Sequence, residues 1–189
     1  MFILDSIGFG SAFALLIPLS YTPDVAFEIS GAWFAAPSVI IMFYFLNIFG
    51  QFISSSNRKK EEDSKLDVIK WGILERLGFI LIYLTLKYFL DSSLILVFFL
   101  ITYGIFVYSS GAILPAYFDL VSRVLYKHRA IFFAANLTTG SLAGFLVSRY
   151  VDFRIQEKGL VEGFSDGLLV VIAITCLLYT SDAADEEAW

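Results

Sequence analysis

The sequence predicts an all-α protein, a polytopic bundle of membrane-spanning helices, and three observations carry that expectation. Hydrophobic residues make up 58% of the 189-residue chain, charged residues only 16%, and mean hydropathy is +0.77. Soluble domains carry roughly half apolar and ~25% charged residues. The apolar residues are gathered into six stretches, most of them about as long as the ~20 residues a helix needs to cross a bilayer. Short polar segments rich in charge separate those stretches.

Taken in order, the first stretch runs from Ile3 to Leu19 and begins almost at once, carrying Asp5 where a secretory leader would carry bases. It is read as a retained span, shortened at its own start. The second extends from Gly31 to Ile53. The third covers Trp71 to Leu90, with Glu75 and Arg76 near its start, where long side chains can reach the headgroups. Ser92 or Ser93 to Tyr117 forms the fourth, and Ala130 to Ser148 the fifth. The sixth starts at Gly167 and offers only LLVVIAIT before the character of the chain changes. Eight apolar residues fall short of a ~30 Å core, so the expectation is five complete spans and a truncated sixth.

From Cys176 the chain reads CLLYTSDAADEEAW, and its first eleven residues match the in-frame translation of a transposase adapter used in sequencing libraries. Residues 1–175 are accordingly expected to be the transmembrane bundle, and 176–189 a non-native tail. Without that tail, which holds Asp182, Asp185, Glu186 and Glu187 and no base, the formal charge moves from −5 to −1. The apparent acidity therefore points to no partner. One Cys excludes an internal disulfide, and one His, His128, argues against a His-rich metal site.

Orientation follows from the loops, since Lys and Arg stay on the cytoplasmic side. Arg58, Lys59, Lys60, Lys65, Lys70, Arg76, Arg123, Lys127 and Arg129 fall on one side, nine bases against four (Lys87, Arg149, Arg154, Lys158) on the other. The segment YTPDVAFEIS after the first stretch has Asp24 and Glu28 and no base. Both facts predict a cytoplasmic N-terminus. The segments expected to be loops are YTPDVAFEIS, SSNRKKEEDSKLD, DSS, DLVSRVLYKHR and RYVDFRIQEKGLVEGFSDG.

Polar groups within spans are costly and are functional candidates. Tyr44, Asn47, Gln51 and Ser55 follow at spacings that share one helix face. That face would line a water-filled route, or Asn47 and Gln51 would hydrogen-bond between helices as glue. Asn136, Gly140, Gly144 and Ser148 recur every fourth residue, a stripe suited to close helix packing. Asn136-Leu137-Thr138 has the form of a glycosylation acceptor but lies within a span. Asp5 is a proton or cation site, or a carboxylate resting among headgroups. Lys87 and Asp91 are spaced for an ion pair, and Pro18 and Pro115 for helix kinks. No enzyme constellation, cofactor motif or metal-ligand cluster is evident, and the basic loops read as topology signals, not as nucleic-acid sites.

The pattern of six spans with basic loops after the second and fourth resembles the N-terminal half of a major facilitator superfamily transporter. The local likeness is best in SGAILPAYFDLVSRVLYKHRAIFFAANLTTGSLAG (Ser110–Gly144) and in ERLGF (Glu75–Phe79). The superfamily's gate-loop signature is partly present in GQFISSSNRK, where Gly50, Arg58 and Lys59 match while Ser54, Ser55 and Asn57 replace its Asp, Arg and second Gly. A conventional gate latch is thus not expected, and the fourth-helix arginine of proton-coupled members would fall at Val107. The resemblance implies a bacterial inner-membrane carrier that moves a small molecule by alternating access against a second six-helix half. Asp5, Asn47, Gln51 and Asn136 would be its pathway residues, with the lipid bilayer as surrounding partner. The alternative is a six-helix membrane scaffold that transports nothing.

Overall fold

The computed structural model describes residues 20–57, 63–124 and 129–186, and there the chain is helical throughout, joined by short turns. Six helices follow in order: α1 (Thr22–Ser30), α2 (Ala35–Asn57), α3 (Asp63–Tyr88), α4 (Ile95–Val124), α5 (Arg129–Lys158) and α6 (Leu160–Glu186). The chain forms two compact units, one of residues 26–127 and one of residues 1–25 with 128–189.

Three helices are long and apolar enough to cross a membrane, over Ala35–Ser56, Ile95–Arg123 and Ala130–Lys158. Among the described residues this replaces the expected five. The first stretch, with Asp5 and Pro18, lies outside the described residues. The third is present as α3, but it begins at Asp63 instead of Trp71. Lys70, Glu75, Arg76 and Lys87 leave no 18-residue stretch of α3 with fewer than three charges. The sixth begins at Leu160, not Gly167, and its backbone stays helical through Glu186.

Two segments expected as loops are helix instead. YTPDVAFEIS contains α1, with Pro23 and Asp24 in its first turn, where a missing N–H costs nothing and a carboxylate complements the helix dipole. It ends at Gly31, whose φ of 62° and N–H to Phe27 O bond of 2.7 Å form a left-handed cap. RYVDFRIQEKGLVEGFSDG is the end of α5, the single residue Gly159 at φ 90°, and the start of α6. Hydropathy locates residues that prefer water, and in the second segment Arg154, Glu157, Lys158 and Asp166 remain in helix while pairing with one another.

In the unit of residues 26–127, α4 is the central helix. Half of its apolar stretch is buried, against 11% for α2. Phe99, Tyr103, Phe106, Val107, Ala112 and Ala116 of α4 are all buried, as are Phe79, Ile82 and Leu86 of α3. Contacts with α2 climb both helices together: Gly104 faces Met42 and Leu46, Gly111 faces Asn47, and Gly50 faces Tyr108 and Ala112. Those with α3 run the opposite way, from Phe89 beside Phe98, through Gly78 and Phe79 at Phe106, to Gly72 near Ile113. Thus α2 and α4 are parallel and α3 is antiparallel to both.

Glycine sets the closeness of these crossings. A Cβ on Gly111 would lie 2.2 Å from the Asn47 carbonyl oxygen, one on Gly50 2.4 Å from the Tyr108 carbonyl oxygen, and one on Gly78 2.7 Å from Phe106 Cβ. Lipid tails are as apolar as Leu, so close backbone approach is what holds such helices together.

In the other unit α5 packs on α6 as a hairpin around Gly159. Gly163 sits against the Ile155 backbone and Gly167 against Val151. On α5, Phe132, Asn136, Gly140, Gly144, Val147 and Val151 are all buried along one face.

Candidate functional site

The polar face of α2 divides in two. Gln51 Nε2 donates to Asn47 Oδ1 at 2.7 Å, and both residues are half-buried beside the α2–α4 crossing. Tyr44 and Ser55 are exposed, Ser55 donating to Phe52 O. Of the four residues expected on one face, then, the middle two are joined and the outer two turn away from the protein. Ser54, buried one turn beyond Gly50, has no hydrogen-bond partner for its Oγ among the described residues.

Next to this pair, α4 contains Pro115. Proline brings no N–H, so the carbonyl of Gly111, four residues earlier, receives no helical bond from it. Gly111 is the residue that touches the Asn47 backbone. A side-chain amide pair, a buried hydroxyl and a proline-interrupted carbonyl ladder thus lie along one helix crossing in an otherwise apolar layer.

The remaining expected residues are placed as follows. Asn136 is 2% exposed, in the buried stripe of α5 in the other unit, so its amide is also out of reach as a glycosylation acceptor. Gly50, expected at the head of the gate loop, lies inside α2 against α4. Arg58 and Lys59, like Asp5 and His128, lie outside the described residues. Val107, where an arginine was considered, is fully buried.

Sequence reasoning missed two features. The first is Glu75. Gly72, Gly78, Phe79 and Ile82 all lie on the face of α3 toward α4. Glu75 falls among them by helical spacing, half-buried and hydrogen-bonded by Ser110 of α4. Its neighbour Arg76 folds back to donate to Gly72 O at 2.7 Å. The second is a charge cluster at the α5–α6 turn: Arg154 and Lys158 both bond Asp166 Oδ2, at 2.5 and 3.0 Å, and Arg154 also reaches Glu157. Charges at i and i+12 give no local signal until the chain is known to fold back at Gly159.

Lys87, expected near Asp91, instead bonds the Tyr83 hydroxyl at 3.2 Å and lies over the rings of Tyr83 and Tyr88. Lys70 similarly lies 5.0 Å above the Trp71 ring. Among the described residues no three His, Cys, Asp or Glu side chains gather in a way that would hold a metal. Comparison with protein-family models, curated proteins and solved structures finds no significant match.

Proposed function

We propose that the chain is the N-terminal half of a bacterial inner-membrane secondary transporter, similar to the major facilitator superfamily, which moves a small molecule by alternating access. One observation supports this most: the α2–α4 crossing combines glycine-mediated backbone contact with the Asn47–Gln51 pair at membrane depth. Polar groups there are expensive, and carriers concentrate them at interrupted helices that line a substrate route. On this reading α3 lies in the bilayer with its neighbours, because it packs along α4 from Phe98 to Ile113, about 22 Å of helix. The excess of bases on alternate loops supports a cytoplasmic N-terminus. Asp5, Asn47, Gln51 and Asn136 remain the pathway residues of this proposal, Arg58 and Lys59 belong to its cytoplasmic gate, and a second six-helix half completes the cavity. No chemical step on substrate is part of it.

The test is to express the complete reading frame in a bacterial host and quantify small molecules in cells and medium without preselection. A solute whose distribution shifts with the wild-type protein, and returns toward control with Asn47→Leu or Gln51→Leu at equal membrane abundance, supports transport. If no solute moves, the carrier reading fails and a scaffold role takes its place.

A further inference from the structure

A carrier that works against a gradient needs a group that takes up and releases the coupling ion. Between Ala35 and Ser56 of α2, Ile95 and Phe118 of α4, and Ala130 and Ser148 of α5 there is no charged residue. In α3, Trp71 with Lys70 over its ring and Tyr88 with Lys87 over its ring mark two ends of an apolar stretch. These aromatic–lysine pairs are 17 residues apart, about 26 Å, close to the thickness of a hydrocarbon core. One turn inside the Trp71 end stands Glu75, the one carboxylate within the apolar part of any of these four helices among the described residues.

Its setting is that of a partnered, reversible site. Glu75 occupies the α4-facing side of α3, between the Gly72–Ile113 and Phe79–Phe106 contacts, the latter with ring centroids 4.3 Å apart. Across from it α4 offers the Ser110 hydroxyl, which donates to an ionised carboxylate and accepts from a protonated one. The groups around it are few. Its own helix contributes Arg76, held on Gly72 O, and α4 contributes Ser110 and, packed on Trp71, the phenol of Tyr108. No base on α4 competes for it nearer than Arg123.

We propose that Glu75 is the proton-binding residue of this protein, taking up one proton on its carboxylate from the Trp71 side of the membrane and releasing it again, with Ser110 as its hydrogen-bond partner in both states. No other bond forms or breaks. The inference rests on the carrier reading for its purpose, but not for its test.

The test uses the full chain in lipid nanodiscs and the lipophilic reagent dicyclohexylcarbodiimide, which modifies protonated carboxyl groups in apolar surroundings, with peptide mass spectrometry locating the adduct. Glu75 is expected to be labelled in acid and to lose labelling as pH rises, the yield falling about tenfold per pH unit above the midpoint. Ser110→Ala removes a donor to the ionised form and moves that loss to higher pH, while Glu75→Gln abolishes the adduct. No adduct at Glu75 at any pH, or an adduct whose yield ignores pH, overturns the proposal even if uptake is found. A pH-dependent adduct upholds the proton site even if no solute moves, in which case only the carrier reading falls.

Discussion

The Tyr21 hydroxyl donates a hydrogen bond to Asp152 Oδ1, tying the residue just ahead of α1 to the second half of α5 across 131 residues of chain. Both residues belong to the same compact unit, so the bond closes that unit where two distant parts of the sequence meet.

That bond holds the Tyr21 phenol above its ordinary range, with burial and the Asp152 charge adding to the effect and Ser148 opposing it. A raised phenol stabilises the fold fully below about pH 10, the unfolded value, and the contribution is lost as pH rises through the folded one. Tyr21→Phe should cost about 1–2 kcal/mol at neutral pH. The difference in absorbance at alkaline pH between wild type and Tyr21→Phe should show one phenol titrating late. A phenol that titrates with the other tyrosines would refute the bond.

The Arg154–Asp166–Lys158 cluster gives the opposite pH signature. Burial alone would lift the Asp166 carboxyl, but hydrogen bonds from Lys158 and Arg154, aided by their charges, outweigh it and hold the group below the usual carboxylate range. Its contribution is therefore present above about pH 4 and lost as pH falls through the lower folded value. The protection of the 159–163 amides, corrected for their intrinsic exchange rates, should fall in acid for wild type. In Asp166→Asn it should already be lower at neutral pH and change little with acid. Equal exchange in both proteins at neutral pH would remove the cluster from the account of the turn.

Gly111→Ala should separate α2 from α4. The added methyl would meet the Asn47 carbonyl oxygen at 2.2 Å, a backbone atom that cannot rotate aside. A loss of about 1–3 kcal/mol is expected from overpacking of this kind, read as a lower midpoint of unfolding in detergent. Ser55→Ala, at an exposed position, is the matched control and should unfold like wild type.

Asn47→Leu and Gln51→Leu each remove the 2.7 Å hydrogen bond from Gln51 Nε2 to Asn47 Oδ1. Both should leave membrane abundance near wild type and reduce uptake by the complete carrier. Undiminished uptake in both variants would exclude them from the substrate route.

The helical class was legible in composition and run length, because a bilayer punishes anything but continuous apolar helix. That Asn136, Gly140, Gly144 and Ser148 share one helix face was legible too, since a fourfold spacing fixes a face once the segment is helical. Less could be read where partners decide the outcome. Gly50 looked like the head of a gate loop and is a contact point inside α2, because a single glycine does not disclose which helix will press against it. Glu75 looked like a residue reaching for water, and only the register of α3 on α4 turns it toward Ser110. The segment from Arg149 to Gly167 looked like a loop because its charges are satisfied twelve residues apart, across a turn that one glycine makes.

The length of α5 has a practical outcome. Its 30 residues rise about 45 Å, some 15 Å more than a hydrocarbon core is thick. Arg154, Glu157, Lys158 and Asp166 crowd the end of α5 where Gly159 forms the tip of the two-helix hairpin, so the surplus of roughly ten residues falls beside that tip. A small epitope placed at that tip would clear the headgroups without touching the apolar stretch. It would let an antibody report which side of the membrane the tip occupies, and serve as a rigid marker for imaging.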